Sequence, residues 1–240
     1  MTQGVAGAQS LRGAGLRPAA VPDRDLLLIM LTVSSGAVDA ISFLALGKVF
    51  TAFMTGNLVF VGIGIGGPGG PRVAGPLVSL AAFAAGVLLA GVVTATRRTS
   101  RALALAAGFE AAFLLVWVSV SGAPGEIALD LLIGLSAVAM GLQSGAVSKL
   151  GVRGIFTTAA TATVITLMAG AAERTGIGER MRLLQVLAAL VAGAAAGAFL
   201  LDHAHTYAPA LPAGLALVAA VGFARTDPRQ SRSHRIPAGD

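Results

Sequence analysis

The sequence predicts an all-α polytopic membrane protein with about six full transmembrane helices, two short interrupted or re-entrant segments and an inverted internal repeat. Three observations carry that expectation. Only 12% of the 240 residues are charged against 55% hydrophobic, about half the charged share of an ordinary soluble domain, and the mean hydropathy is +0.83. The charges also collect at the ends: of 28 Lys, Arg, Asp and Glu residues, eleven lie in 1–25 and 225–240. Charge-free windows result, such as the 24 residues between Arg72 and Arg97, where a hydrocarbon core takes roughly 20 to cross. The third observation is that two halves of the chain repeat one order of segments.

Eight apolar segments run near 26–46, 50–66, 74–96, 102–121, 129–148, 154–171, 183–201 and 207–224. Helices are expected, because a spanning barrel would alternate apolar and polar residues in pieces of about ten. The first segment reads as a span rather than a signal peptide, since no small-residue cleavage site follows it. The second, FTAFMTGNLVFVGIGIG, is 17 residues long, holds Thr51, Thr55, Gly56 and Asn57, and runs into a Gly/Pro stretch at 66–71. The sixth opens with Thr157, Thr158, Thr161 and Thr163. Both are short and polar at their starts. The other five are long apolar runs, broken in depth only by Glu110 and Gln143. Residues 1–25 read as a flexible cytoplasmic tail, 26–224 as a single transmembrane domain with repeat halves 26–121 and 129–224, and 225–240 as a flexible basic tail.

Lys and Arg in short loops collect on the cytoplasmic side, which weighs eight crossings against six. With eight, 11 basic residues fall inside and 6 outside; with segments two and six not crossing, only Lys48 and Arg72 lie outside and 15 lie inside. Six crossings in the bacterial inner membrane, with both termini cytoplasmic, fit better.

The net charge of +6 then belongs to topology and anionic lipid rather than to nucleic acid. The chain has no cysteine, which removes disulfides, thiolate metal sites and a thiol nucleophile. No HExxH, Ser/His pair or Walker sequence is present, so neither an enzyme nor a cofactor is expected. His203 and His205 beside Asp202 read as solvated groups rather than a metal site.

Phe50, Thr51 and the T-G-N of Thr55, Gly56 and Asn57 align with Phe156, Thr157 and Thr161 to Thr163. Gly36 to Asp39 fall opposite Gly141 to Ser144 after one inserted residue. Three crossings per half invert the second half relative to the first, the arrangement in which alternating-access transporters place substrate beside discontinuous helices. The competing reading is close packing of short Gly/Thr segments. Gly62 with Gly66, Gly141 with Gly145 and Gly193 with Gly197 are small-xxx-small pairs suited to close helix approach.

Asp39 follows thirteen uncharged residues of the first span and precedes eight more. A carboxylate at that depth is expensive unless paired or protonated, so Asp39 either serves a cation or proton path or forms a structural bond to Asn57, Thr51 or Gln143. Asp39 and Asn57 are the leading pair. Glu110, inside the fourth segment, is a second deep carboxylate that a neighbouring Ser or Thr would satisfy. Asp130 sits near an outer end, and Lys149 and Arg153 are expected at lipid headgroups.

The run from Gly36 to Asn57, with Gly141, Leu142, Gln143, Thr157 and Thr158, resembles the YoaK-like family of uncharacterised bacterial multi-pass inner-membrane proteins. The resemblance covers most of 26–224. That family's first motif reads approximately G-x-x-D-A-x-x-F and F-T-A-H-M-T-G-N, and its second G-x-Q-N-A and T-T-x-x-T-G-T. Asp39, Thr51, Met54, Thr55, Gly56, Asn57, Gln143, Thr157, Thr158, Thr161 and Thr163 match it. Phe53, Ser144 and Ala162 stand where His, Asn and Gly are usual, which weakens a mechanism built on a protonatable His or a flexible glycine.

The functional expectation is a small-solute transporter or exchanger, open to proton coupling, with a path along Asp39, Thr51, Thr55, Asn57, Gln143, Thr157, Thr161 and Glu110. The alternative is a membrane-embedded structural or interaction protein. Expected partners are membrane lipid, an unknown solute or proton, and a second copy of the chain in a homo-oligomer.

Overall fold

The structure, a computed structural model, describes residues 24–67, 72–96, 99–150, 160–172 and 177–226. Among these, the chain is helical throughout: α1 (Arg24–Ala45), α2 (Met54–Gly66), α3 (Ala74–Thr96), α4 (Thr99–Ser119), α5 (Glu126–Ser148), α6 (Ala160–Ala172), α7 (Ile177–His203), a 3-10 turn (His205–Tyr207) and α8 (Ala210–Thr226). Six of these elements are long and apolar enough to span a membrane, the 3-10 turn counting with α8. At 13 residues each, α2 and α6 reach only about 20 Å, short of a hydrocarbon core of about 30 Å.

The long helices pack in a consistent order. α3 lies along α5, α1 lies along α7, α4 contacts both α5 and α8, and α8 returns to α1. The short helices are peripheral, α2 against α3 and α6 against α7. Glycines let the two longest contacts close. A side chain on Gly36 would meet the Leu190 carbonyl and one on Gly193 the Val33 carbonyl; likewise, Gly141 lies against the Phe83 carbonyl and Gly86 against that of Val138. With lipid outside and no hydrophobic gain from helix pairing, such backbone approach supplies the dispersion contacts that hold helices together. The paired glycines at 141, 145, 193 and 197 all sit at these contacts. Gly62 and Gly66 do not: no heavy atom lies within 4 Å of a side chain built on either, among the described residues.

Polar contacts mark the two ends of the bundle. At one, the Arg24 guanidinium donates to the Leu150 carbonyl over 2.6 Å and Arg182 pairs with Asp25 at 3.6 Å. At the other, Arg72 pairs with Asp130 at 3.2 Å, and Trp117 Nε1 donates to the His205 carbonyl over 3.0 Å. Starts of α1 and α7 thus meet the end of α5, while the starts of α3 and α5 lie together, as helices running alternately through one slab require. The outer faces are apolar, with Ile65, Leu88, Leu115 and Val191 largely exposed, and contact membrane lipid.

Several boundaries differ from those expected. Segment two begins as a helix only at Met54, because the backbone of 50–52 bonds to side chains instead. α7 starts at Ile177, six residues early: Glu179, Arg180 and Arg182 extend it beyond the apolar stretch as a solvated turn. Segment eight becomes helical at Ala210 after the 3-10 turn. α1 begins at Arg24 and α8 ends at Thr226, so the tails expected at 1–25 and 225–240 fall almost wholly outside the described residues. The first part of segment six lies outside them too, with Thr157, Thr158 and Arg153.

Candidate functional site

The sequence between α1 and α2 folds back into the bundle and is held there by side chains from three helices. Asp39 of α1 accepts through Oδ1 from the Thr51 amide at 2.9 Å and the Ala52 amide at 2.8 Å. Asn57, in the first turn of α2 and fully buried, clasps Phe50 in both directions: Nδ2 donates to the Phe50 carbonyl over 2.6 Å and Oδ1 accepts from its amide at 3.0 Å. Ser79 of α3 donates to the same carbonyl over 2.6 Å. α2 starts without a side-chain cap of its own, at Phe53. Asp39 therefore places a carboxylate beside the amides leading into α2, where the positive end of a helix dipole favours negative charge.

Asp39 and Asn57 do not bond one another. Expected as a pair, they instead grip the same turn from opposite sides, Asp39 at 51–52 and Asn57 at 50. The reason is that Asn57 spends its carboxamide on Phe50, while the amides ahead of α2 lack intrahelical partners and are left to Asp39.

Behind this turn lies a fully buried polar line. Ser136 Oγ of α5 donates to Thr51 Oγ1 over 3.1 Å and lies 3.5 Å from Glu110 Oε1 of α4. Ser136 has one hydroxyl proton and so serves one of these acceptors at a time. Thr51 joins the two carboxylates, its amide on Asp39 and its hydroxyl on Ser136. Two helical turns beyond Ser136 on α5, and so on the same face, Gln143 Nε2 donates over 3.1 Å to the Leu31 carbonyl of α1. Three buried atoms here have no hydrogen-bond partner among the described residues: Ser35 Oγ, Glu110 Oε2 and Gln143 Oε1.

Asp39 also lines a groove of about 530 Å³ between α1 and α7, whose walls include Ser35, Phe43, Phe50, Phe53 and Ala194. Phe43 and Phe50 stack at 5.0 Å, Phe53 meets Phe50 edge-on at 5.4 Å, and Phe60 stacks on Phe50 at 5.9 Å.

Of the residues expected on a path, Asp39, Thr51, Asn57 and Glu110 converge on this turn and its buried line. Gln143 lies apart, joining α5 to α1. Thr55 and Thr161 are exposed, away from the convergence, and Thr157 lies outside the described residues. Thr163, expected by the sequence alignment of the two halves to stand opposite Asn57, is buried. Lys149 is exposed. His203 touches Asp202 and Phe199, His205 packs on Trp117, and no metal-holding group of side chains occurs among the described residues. Ser35, Ser79, Ser136 and the Phe cluster escaped the sequence reading. Their signal was faint: Ser35 stands one turn before Asp39, and Ser136 seven residues before Gln143.

Six helices long and apolar enough to span, lipid-facing apolar surfaces and an interior holding carboxylates define a polytopic membrane protein. The chain belongs to the family described as Protein of unknown function (DUF1275), whose model matches residues 27–222. It is similar to the UPF0700 transmembrane protein YoaK of Bacillus subtilis (strain 168), with 36% identity over 148 residues, 60% of this chain and 66% of that protein. The match thus spans just under two thirds of the relative's length. No solved structure matches the chain.

Proposed function

We infer that the protein is a small-solute transporter or exchanger rather than an enzyme, with the solute passing near Asp39 and with protons as its simplest coupling ion. The observation that carries this reading is the Asp39 carboxylate, set at spanning depth against the start of a helix too short to cross, and lining the groove between α1 and α7. Discontinuous helices that end near the bilayer midplane are where secondary transporters bind substrate. A purely architectural carboxylate would be expected to lie enclosed in packing.

An inverted repeat underlies the reading. α1 and α5 correspond with an offset of 105 residues, α3 and α7 with one of 107. Under those offsets the Gly36–Leu190 contact maps onto Gly141–Phe83, and Gly193–Val33 maps onto Gly86–Val138. The partners of α2 and α6 correspond in the same way, α3 and α7. With three crossings per half the repeats are inverted, and we read α2 and α6 as re-entrant segments that enter and leave on one side, with both termini cytoplasmic.

The structural alternative draws on Asn57, whose buried carboxamide is spent on the Phe50 backbone and the Met54 sulfur. Proteoliposomes holding the purified protein, screened for uptake of a panel of small solutes under an imposed pH gradient, separate the two. Transport predicts uptake of at least one solute that Asp39→Asn abolishes while the protein stays folded. Uptake of none, or uptake unchanged in Asp39→Asn, favours the architectural role.

A further inference from the structure

We propose that the groove between α1 and α7 is a binding site for an organic ammonium ion with apolar flanks, which sets the solute class of the transport site and rests on that reading. Asp39 is the counter-charge. The Thr51 and Ala52 amides engage Oδ1, and the Phe53 amide is a third backbone donor; a carboxylate has about four lone-pair sites, which leaves capacity for a ligand. No Lys or Arg lines the groove among the described residues, so its wall offers an anion no cationic partner. An acyl chain or neutral solute would leave that carboxylate without a counter-charge, so that it would have to take up a proton.

The remaining wall suits a cation. Phe43, Phe50 and Phe53 all border the groove, and aromatic faces attract ammonium groups within about 6 Å of the ring centre. Phe43 already receives one: Lys48 Nζ stands 4.8 Å from its centroid. Ser35 is on the same face of α1, one turn before Asp39. Ser35 borders the groove, and its hydroxyl, buried just behind that wall, has no partner among the described residues. The volume of about 530 Å³ lies within the roughly 300–1,000 Å³ of small-molecule sites.

The test uses the full chain in phosphatidylcholine nanodiscs, titrated calorimetrically with benzyltrimethylammonium and with its uncharged carbon isostere neopentylbenzene. Empty nanodiscs serve as the blank. The proposal expects saturable binding of the cation only, weakened at least tenfold by Asp39→Asn and roughly three- to tenfold by Phe53→Leu. Phe53 is partly exposed, so that variant keeps the test decisive if Asp39→Asn does not fold. Equal binding of the isostere, no saturable binding, or cation affinity unchanged in both variants would overturn the proposal. Solute flux measured on the same protein separates the two readings. Ammonium binding without any flux upholds the site and removes transport; flux of other solutes without ammonium binding does the reverse.

Discussion

Replacing Asn57 by Ala removes both bonds to Phe50 and strands a backbone amide inside the bundle, since Ser79 can serve only the carbonyl. An orphaned buried donor costs about 1–3 kcal/mol, whereas an ordinary hydrogen bond contributes about 0.5–1.5 kcal/mol. Asn57→Ala should therefore destabilise the protein more than Ser79→Ala does, as read from denaturant unfolding in detergent; equal losses would mean the clasp on Phe50 is not what holds the turn. Asp39, Thr51, Asn57 and Glu110 were legible in the sequence because polar groups inside apolar runs are conspicuous. Their partners were not. Asp39 and Asn57 both bond to main chain, and nothing in the identity of Phe50 or Ala52 announces a bonded amide. Ser35, Ser79 and Ser136 were missed because serine is common in membrane helices and carries no charge to betray its depth.

Among elements, the glycines divide sharply. Gly193→Ala would drive a methyl group into the Val33 carbonyl, a backbone atom that moves only if α1 moves. Overpacking of this kind costs typically 1–3 kcal/mol, so folded yield and thermal midpoint should both fall. Gly62→Ala meets nothing within 4 Å and should be neutral, or stabilising by up to about 1 kcal/mol through helix propensity. A thermal-shift comparison of the two variants checks this, and similar midpoints would contradict the α1–α7 contact. The six long helices were readable because each is a long run of apolar residues. The start of α2 was not, since Phe50 to Ala52 run on into the helix that follows as one segment and only their tertiary bonds unwind them. The sequence spacing of Gly62 and Gly66 matches that of the packing pairs, and only the position of α2 at the rim distinguishes them.

For the whole molecule, the absence of cysteine makes sidedness directly measurable. Single cysteines at Ala123, Ser148 and His203, all exposed, should label with an impermeant reagent so that 123 and 203 share one face and 148 the other. Eight crossings would instead group 148 with 203. Basic-residue placement made six spanning helices legible. The groove was not legible, because its walls come from α1 and the folded-back turn on one side and from α7, more than a hundred residues away in sequence, on the other. Whether water reaches that groove is the most direct question. Ala40 and Ala194 line it, whereas Leu115 points outward at 71% exposure. Methanethiosulfonates react with the thiolate, a form that needs water. Labelling of Ala40→Cys and Ala194→Cys by an impermeant methanethiosulfonate, with Leu115→Cys inert, is the result expected of a solute path at Asp39; groove cysteines as inert as the one facing lipid would contradict it.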